Sequence, residues 1–216
     1  MSAWLNLLQQ ERLIAVIRSE SRQRARDMAL AAAAGGVRLL EITWNTDQAE
    51  TLIPKLQQEL PACRVGTGTI LNREMAERAI GCGCSFVFTP HTDPHLIELA
   101  RSAQVPLVPG AMTPSEIVQA WQAGAEVVKI FPIKLLGGID YLQTLVPVFP
   151  KIPFLPTGGV TVANAPLYIQ AGAIAVGIAS DLFGQDGDWQ SLIARVNDLI
   201  NRLQPYRQFT RDEHLL

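Results

Sequence analysis

A lysine inside an apolar run is the strongest chemical signal in the sequence. Lys129 lies in the run Val127-Val128-Lys129-Ile130-Phe131, and side-chain alternation along a β-strand places it on the same face as Val127 and Phe131. If that face points into an apolar interior, desolvation lowers the pKa of the amine and favours the neutral nucleophile that attacks a ketone. A lysine that extends to solvent, or one half of a buried ion pair, is the alternative.

A carboxylate lies near the end of another apolar run. Glu41 follows Leu39 and Leu40, and the same alternation directs it inward at the same rim as Lys129. There it could pair with the amine and, once the amine is consumed as an imine, transfer protons as a general acid and base. A purely structural salt bridge between the two residues is the alternative, and the two interpretations are compatible.

Two other segments could hold a substrate carboxylate. Arg18 follows the first apolar run, residues 13–17, and its planar fork of donors matches a carboxylate. The segment Gly66-Thr67-Gly68-Thr69 offers close backbone approach at its glycines and hydroxyl donors at its threonines. From position alone, Arg18 is also compatible with an exposed arginine in a loop, and the threonine segment is a weak signal by itself.

The last two apolar runs are followed by segments that could hold a phosphate. The first is Pro156-Thr157-Gly158-Gly159-Val160, and the second contains Ser180 after Gly177-Ile178-Ala179. In (β/α)8 barrels, the loops after strands seven and eight commonly bind phosphate with backbone N–H groups. A glycine turn that binds no ligand is the alternative.

The elements that must position these residues are predicted by a repeating pattern of strand and helix. Apolar runs occur at residues 13–17, 37–42, 63–66, 85–88, 105–108, 126–131, 153–156 and 173–178. Amphipathic stretches separate them, one of which opens with the capping-box sequence Thr113-Pro114-Ser115-Glu116. This alternation predicts a parallel sheet covered by helices, and eight units predict one (β/α)8 barrel. An open doubly wound sheet is the runner-up, although no G-x-G-x-x-G follows the first run.

Composition and charge favour one soluble domain over residues 1–216. The chain is 48% hydrophobic with a formal net charge of −2, and it has no basic stripe for nucleic acid and no apolar run long enough for a membrane. We expect an amphipathic helix over residues 1–12, which lacks the pattern of a signal peptide, and a polar tail over residues 205–216. Three cysteines indicate a reducing cytoplasm rather than a disulfide framework.

No arrangement of ligands predicts a catalytic metal. The sequence contains neither an H-x-H pair nor a cluster of carboxylates. Cys82-Gly83-Cys84 could attract a soft metal, but no second pair of ligands stands at a matching distance. Buried thiols in a turn between a helix and a strand are the better interpretation.

Six motifs, in order, carry a resemblance to a known family. They are Glu41-Ile42-Thr43, Val65-Gly66-Thr67-Gly68-Thr69, Thr89-Pro90-His91, Val108-Pro109-Gly110-Ala111-Met112-Thr113-Pro114, Lys129-Ile130-Phe131-Pro132 and Pro156-Thr157-Gly158-Gly159-Val160. In these motifs the chain resembles the bacterial 2-keto-3-deoxy-6-phosphogluconate (KDPG) / 4-hydroxy-2-oxoglutarate (KHG) aldolases, which are class I aldolases. The resemblance covers nearly the whole chain.

The resemblance implies a role for each of the candidate residues. It implies Lys129 as the Schiff-base lysine and Glu41 as the general acid and base. The residues implied to surround the pyruvyl group are Thr69, Pro90 and Phe131. The residues implied to hold the phosphate are Gly158, Gly159 and Ser180, with Thr157 beside them. It also implies a homotrimer, a small 2-keto acid as substrate, and no cofactor.

The chain departs from the family pattern at two positions. Many members have an arginine four residues after the glutamate, where this chain has Asn45, whereas others have one at the end of the first strand, which Arg18 matches. Relatives often read Gly-x-Gly-Ser where this chain has Ala179 before Ser180, which puts the affinity for phosphate in doubt. Asn45 also resembles relatives that act on the galactonate epimer, but those tend to have valine at the position of Thr157.

The expected function is therefore cleavage of KDPG to pyruvate and glyceraldehyde 3-phosphate, of KHG to pyruvate and glyoxylate, or of both. Three alternatives stay open from the sequence. They are an aldolase for the galactonate epimer of KDPG, a non-covalent phosphosugar isomerase or epimerase on the same barrel, and a barrel that binds its ligand without catalysis.

Overall fold

Strands and helices alternate along the chain in the computed structural model, which describes residues 2–184 and 188–206. The strands are β1 (Leu13–Ile17), β2 (Leu39–Thr43), β3 (Arg64–Gly68), β4 (Val87–Phe88), β5 (Leu107–Val108), β6 (Gly110–Ala111), β7 (Val128–Ile130), β8 (Phe154–Pro156) and β9 (Val176–Ile178). The helices are α1 (Ala3–Glu11), α2 (Arg22–Ala34), α3 (Ala49–Glu59), α4 (Arg73–Gly81), α5 (Pro94–Ser102), α6 (Pro114–Gln122), α7 (Ile139–Val148), α8 (Ala165–Gln170), α9 (Ser180–Phe183) and α10 (Trp189–Leu203). Short 3-10 helices lie at Ile133–Leu136 and Gln204–Tyr206.

The strands close into a parallel barrel. One sheet has the order β5-β4-β3-β2-β1-β9 and the other has the order β6-β7-β8. Only Pro109 separates β5 from β6, and because proline has no N–H to continue a ladder, these two segments are parts of one barrel strand. On the other side, a parallel bridge joins Thr157 to Gly177, and the Ile174 N–H donates to the Phe154 carbonyl at 2.9 Å. The predicted (β/α)8 barrel is confirmed, and the open doubly wound sheet is not observed among the described residues.

The bounds of the elements differ from the predictions at a few places. The fifth strand, predicted over 105–108, continues past Pro109 to Ala111. The second strand begins at Leu39, two residues later than predicted. The predicted N-terminal helix is confirmed as α1, which Ser2 caps by accepting the Leu5 N–H at 3.2 Å. Of the predicted tail over 205–216, residues 207–216 lie outside the described residues.

Two apolar cores hold the barrel together. The larger lies between the strands and the surrounding helices. The smaller lies inside the barrel, where Trp4 and Leu8 of α1 pack against side chains from the beginnings of the strands, such as Ile14 and Leu39. The Trp4 ring lies 5.1 Å from the Phe86 ring, centroid to centroid. Helix α1 therefore closes the N-terminal end of the barrel and leaves the opposite end open.

Helix α6 shows how local sequence sets the ends of an element. The Thr113 hydroxyl accepts the Glu116 N–H at 3.3 Å, and the Glu116 carboxylate accepts the Thr113 N–H at 2.8 Å. This reciprocal pair is the predicted capping box, and Pro114 occupies the first helical position, where no N–H is needed. The helix is followed by Gly124, whose φ of 96° lies in the left-handed region that glycine adopts most readily.

Within residues 2–184 and 188–206, no helix has the length and apolar character that crossing a membrane requires.

Candidate active site

Lys129 is buried inside the barrel at the open end. It lies in β7 with 5% of its surface exposed, so it does not extend to solvent. Its Nζ is 4.9 Å from the centroid of the Phe131 ring and 5.6 Å from that of Phe88. Burial lowers the pKa of the amine, the charge of Glu41 raises it, and the charge of Arg18 lowers it. Because burial is the largest of these effects, the neutral amine is favoured relative to a lysine in water.

Glu41 lies on the same interior surface, in β2, with 2% of its surface exposed. Its Oε2 is buried and has no hydrogen-bond partner among the described residues, and burial raises the pKa of this carboxyl against the opposing effects of Lys129 and Arg18. The ion pairs among the described residues do not include Glu41 with Lys129. The two charges therefore influence each other without direct contact, and an oxygen of Glu41 is left available to a substrate or a water. This disfavours the alternative of a purely structural salt bridge.

The Glu41 carboxylate is placed by the strand beside it. A Cβ atom on Gly68 would lie 1.7 Å from Glu41 Oε1, so the carboxylate lies directly against the glycine backbone. In the register of the barrel, Glu41 is level with Val16 of β1 and Gly66 of β3. The smallness of Gly68 is therefore what lets Glu41 point into the open end of the barrel.

Arg18 and Thr69 form a polar pair at the rim. Arg18 Nη2 donates to Thr69 Oγ1 at 3.3 Å, and Arg18 is exposed to solvent. Thr69 has a φ of 63°, a left-handed conformation that is uncommon for a residue with a β-branched side chain. Such conformations occur preferentially at functional sites, where the surrounding structure maintains them. The pair presents a guanidinium and a hydroxyl to the same space, which suits a carboxylate.

A cavity of about 780 Å³ connects these groups at the C-terminal end of the strands. Its lining includes all but one of the residues predicted from the sequence to act in catalysis or binding. They are Arg18, Glu41, Thr69, Pro90, Lys129, Phe131, Thr157, Gly158 and Ser180. Gly159 is the exception. A Cβ added to Gly159 would point at Lys134, 2.3 Å from the Cβ of that residue.

The glycine segment after β8 packs tightly against Phe131. Gly158 has a φ of 84°, and an added Cβ would lie 2.9 Å from the Phe131 ring. Thr157 is 6% exposed, and its buried Oγ1 finds no hydrogen-bond partner in the part of the chain that the structure describes. A buried hydroxyl without a partner is unfavourable in the unliganded protein, so Thr157 is suited to bind a polar group of the substrate.

The structure adds lining residues that the sequence did not identify. Arg24 and Met28 of α2, Phe183 of α9 and Trp189 of α10 extend the cavity away from Lys129. A signal for Arg24 exists in the sequence: the first turn of α2 contains no acidic residue, although the positive end of the helix dipole favours one.

The cysteines do not contribute to this cavity. Cys63, Cys82 and Cys84 are free thiols, and burial raises the pKa of Cys84 to about 12. Within the part of the chain that the structure describes, no group of three or more His, Cys, Asp or Glu side chains could hold a metal ion.

Comparisons with known proteins agree with this geometry. The family model described as "KDPG and KHG aldolase" matches residues 5–196. The 2-dehydro-3-deoxy-phosphogluconate aldolase of Pseudomonas aeruginosa is 34% identical over 206 residues, which cover 94% of each chain. The KHG/KDPG aldolase of Escherichia coli K12 is 35% identical over 152 residues, 70% of this chain and 71% of its own. Among solved structures, the KDPG aldolase of Legionella pneumophila, captured with pyruvate as a covalent carbinolamine, superposes with a TM-score of 0.80 at 26% identity, over 91% of this chain and 96% of its own.

Proposed function

Because the chain belongs to the KDPG and KHG aldolase family, we propose that Lys129 forms the Schiff base of its reaction and that Glu41 is the general acid and base. The protein is a class I aldolase, a carbon–carbon lyase. The observation that carries the assignment is the cavity itself. It contains a buried lysine with a lowered pKa and a buried carboxyl with a raised pKa, which are not directly paired.

The reaction begins at the ketone of the substrate. The neutral Lys129 amine attacks C2, and Glu41 donates a proton to the departing hydroxyl as water leaves and the imine forms. Glu41, directly or through a water, then takes the proton of the C4 hydroxyl while the C3–C4 bond breaks. The protonated imine accepts the electron pair of that bond as an enamine. The enamine is reprotonated at C3, and hydrolysis of the imine releases pyruvate and the free lysine.

The residues around the lysine hold the two ends of the substrate. Arg18 and Thr69 bind the C1 carboxylate, which is supported by their direct hydrogen bond beside the lysine. Pro90 and Phe131 enclose the pyruvyl group, since both line the cavity next to Lys129. The far end of the substrate is bound by Thr157, Gly158, Gly159 and Ser180. In this group Gly159 has no side chain and acts through its backbone, and Lys134 fills the space that a Cβ at this position would occupy.

Pyruvate trapping tests the assignment of the lysine. Incubation with pyruvate and a borohydride reductant should leave a reduced pyruvyl adduct, which peptide mass spectrometry should locate on Lys129. The adduct should be absent in Lys129→Met and present in Lys151→Met, since Lys151 is an exposed lysine outside the cavity. An adduct on another lysine would contradict the assignment of Lys129, whereas activity that survives Lys129→Met without any adduct would favour the non-covalent isomerase or epimerase mechanism.

Glu41→Gln tests the assignment of the general acid and base. The substitution keeps the shape of the side chain and removes its proton transfer, so kcat should fall by about 100- to 10,000-fold while the fold is kept. Circular dichroism checks the fold, and a coupled assay of pyruvate release gives kcat. Unchanged kinetics would remove Glu41 from the mechanism.

We favour the gluconate series over its galactonate epimer, because Thr157 lines the cavity and its buried hydroxyl, which has no hydrogen-bond partner among the described residues, could bond to a substrate hydroxyl. A coupled assay that compares KDPG, its galactonate epimer and KHG decides the order of preference. A higher kcat/KM for the galactonate epimer would contradict this choice.

We also propose a cytoplasmic homotrimer. Large apolar side chains are exposed at Leu71, Met112 and Leu135, with Leu135 80% exposed, and a partner subunit would cover them wherever they form one continuous surface. The three free thiols agree with a reducing compartment. Light scattering after size-exclusion chromatography measures the mass, and a monomer would contradict the trimer.

A further inference from the structure

The far end of the cavity contains a cation that the mechanism does not use. Among residues 2–184 and 188–206, three cationic side chains line the cavity: Arg18, Arg24 and Lys129. Lys129 becomes the imine, and Arg18 is bonded to Thr69. Arg24 is exposed, and no hydrogen bond or ion pair of its guanidinium is found among the described residues. It is therefore free to bind a part of the substrate that the other two cations do not reach.

The neighbouring arginines of the same helix behave differently. Arg22 donates to Gln48 Oε1 at 3.1 Å, and Arg26 donates to Glu59 Oε2 at 2.8 Å. Neither lines the cavity. Three arginines near the N-terminus of α2 oppose the helix dipole, which favours acidic residues at that end. The guanidinium groups of Arg22 and Arg26 are bonded to protein side chains. That of Arg24 has no such partner among the described residues, so it is available to bind an anionic ligand.

The packing of α2 places Arg24 beside the last barrel unit. Helix α2 packs against α10, and Gly35, which follows α2, lies directly against Val196 of α10. β1, which leads into α2, pairs with β9, and Ser180 follows β9 by two residues. Arg24 and Ser180 line the same cavity. Arg24 is therefore on the side of the phosphate-binding segments.

Two further features of this region would weaken the binding of an anion unless a cation lies nearby. Glu20 also lines the cavity, so without Arg24 the region would present a carboxylate to an approaching anion. Ala179 takes the place of the glycine that relatives often have before the serine. Its φ of −106° requires no glycine. Its methyl group, however, limits how closely a phosphate oxygen could approach the backbone at this position. A guanidinium can replace such backbone contacts with stronger charge-assisted hydrogen bonds.

We propose that Arg24 is a specificity-determining residue that binds the terminal phosphate of the substrate, so that this enzyme prefers a phosphorylated six-carbon 2-keto acid to the shorter dicarboxylate. The proposal rests on the aldolase function proposed above. The five-carbon dicarboxylate ends one carbon beyond C4, whereas the six-carbon substrate carries its phosphate on C6, farther from the lysine-bound C2. A cation on the outer lining of the cavity therefore suits the phosphate better than the shorter carboxylate.

The test compares KDPG with its unphosphorylated counterpart, 2-keto-3-deoxygluconate, in a coupled assay of pyruvate release. Arg24→Gln should lower the ratio of the two kcat/KM values by about 10- to 100-fold, as expected for the loss of a charged hydrogen bond. Arg24→Lys, which keeps the charge, should restore part of the ratio. Arg22→Gln is the matched control, because it removes an arginine of the same helix turn that does not line the cavity, and its ratio should equal that of the unaltered enzyme.

The outcomes separate this proposal from the one it rests on. Pyruvate carries no phosphate, so Arg24→Gln should still be trapped on Lys129 by pyruvate and borohydride. If the unaltered enzyme is not trapped, the aldolase mechanism fails. If the unaltered enzyme is trapped but Arg24→Gln leaves the ratio of the two kcat/KM values unchanged, Arg24 does not bind the phosphate. The same conclusion holds if Arg24→Gln lowers both kcat/KM values equally. An unaltered enzyme that cleaves KHG better than KDPG would overturn the proposal as well.

Discussion

Replacement of Gly68 by alanine should disable the enzyme through Glu41 without touching the substrate. The new Cβ would lie 1.7 Å from Glu41 Oε1 and 2.5 Å from its carboxyl carbon. Ordinary contact begins at 3.4 Å, so the oxygen must retreat by about 1.7 Å (3.4 minus 1.7 Å). A displacement of about 1 Å of a catalytic group lowers rates about 100-fold. We therefore expect kcat of Gly68→Ala to fall by at least about 100-fold, which corresponds to about 2.7 kcal/mol in the barrier.

The same overlap should appear in the stability of the fold. Insertion of a methyl group into a packed interior typically costs about 1–3 kcal/mol of unfolding free energy. Urea unfolding, followed by circular dichroism, measures this loss.

A double-mutant cycle with Glu41→Ala isolates the cause. Truncation of Glu41 leaves empty the space that the new methyl group needs, so Gly68→Ala should destabilise the Glu41→Ala background much less than the unaltered enzyme. Equal destabilisation in both backgrounds would show that the methyl group acts elsewhere, and the account of how Gly68 places Glu41 would be wrong.

Three further perturbations test other parts of the site and the fold. Burial lowers the pKa of Lys129 below the usual 10.5. The rate of pyruvate trapping should therefore rise with pH as the amine loses its proton, with a midpoint below 10.5 and a plateau above that midpoint. A midpoint at or above 10.5 would contradict the role of burial. Arg18→Gln should raise KM for 2-keto acids by about 10- to 100-fold in the coupled assay, since it removes a charged hydrogen bond to the carboxylate, whereas an unchanged KM would exclude Arg18 from binding. Leu8→Ala should lower the unfolding free energy by about 2–5 kcal/mol, because Leu8 is fully buried inside the barrel, and it should change kcat little because α1 closes the opposite end; urea unfolding and the coupled assay measure the two effects, and a large fall in kcat would refute this separation.

Strand alternation was sufficient to predict the centre of the site. In a barrel of short strands, every second side chain points inward, so an inward lysine and an inward glutamate could be found by counting from their apolar neighbours. The register of the strands agrees, with Lys129 level with Gly110 and Leu155. The barrel itself followed from the same periodicity, because eight regular units leave few other ways to bury eight apolar strands.

The remaining features depend on tertiary structure and could not be predicted in this way. Arg24 enters the cavity because α2 packs against α10, a contact between elements at the two ends of the chain. The space beside the Cα of Gly159 is filled by Lys134, a contact that a local sequence pattern does not predict. The left-handed conformation of Thr69 is likewise imposed by its surroundings.

The arrangement of charges explains why a lysine and a glutamate can stay buried without a direct ion pair. The charges of Lys129 and Arg18 lower the pKa of Glu41 against the effect of burial. An isolated buried charge would be strongly unfavourable. Burial favours the neutral form of both Lys129 and Glu41, whose pKa values shift in opposite directions, so the protein reduces that penalty by weakening both charges. A bound substrate carboxylate then neutralises Arg18, which removes one of the two causes that lower the pKa of the lysine. Substrate binding therefore makes a positive charge at Lys129 less unfavourable, and this stabilises the protonated imine that forms there.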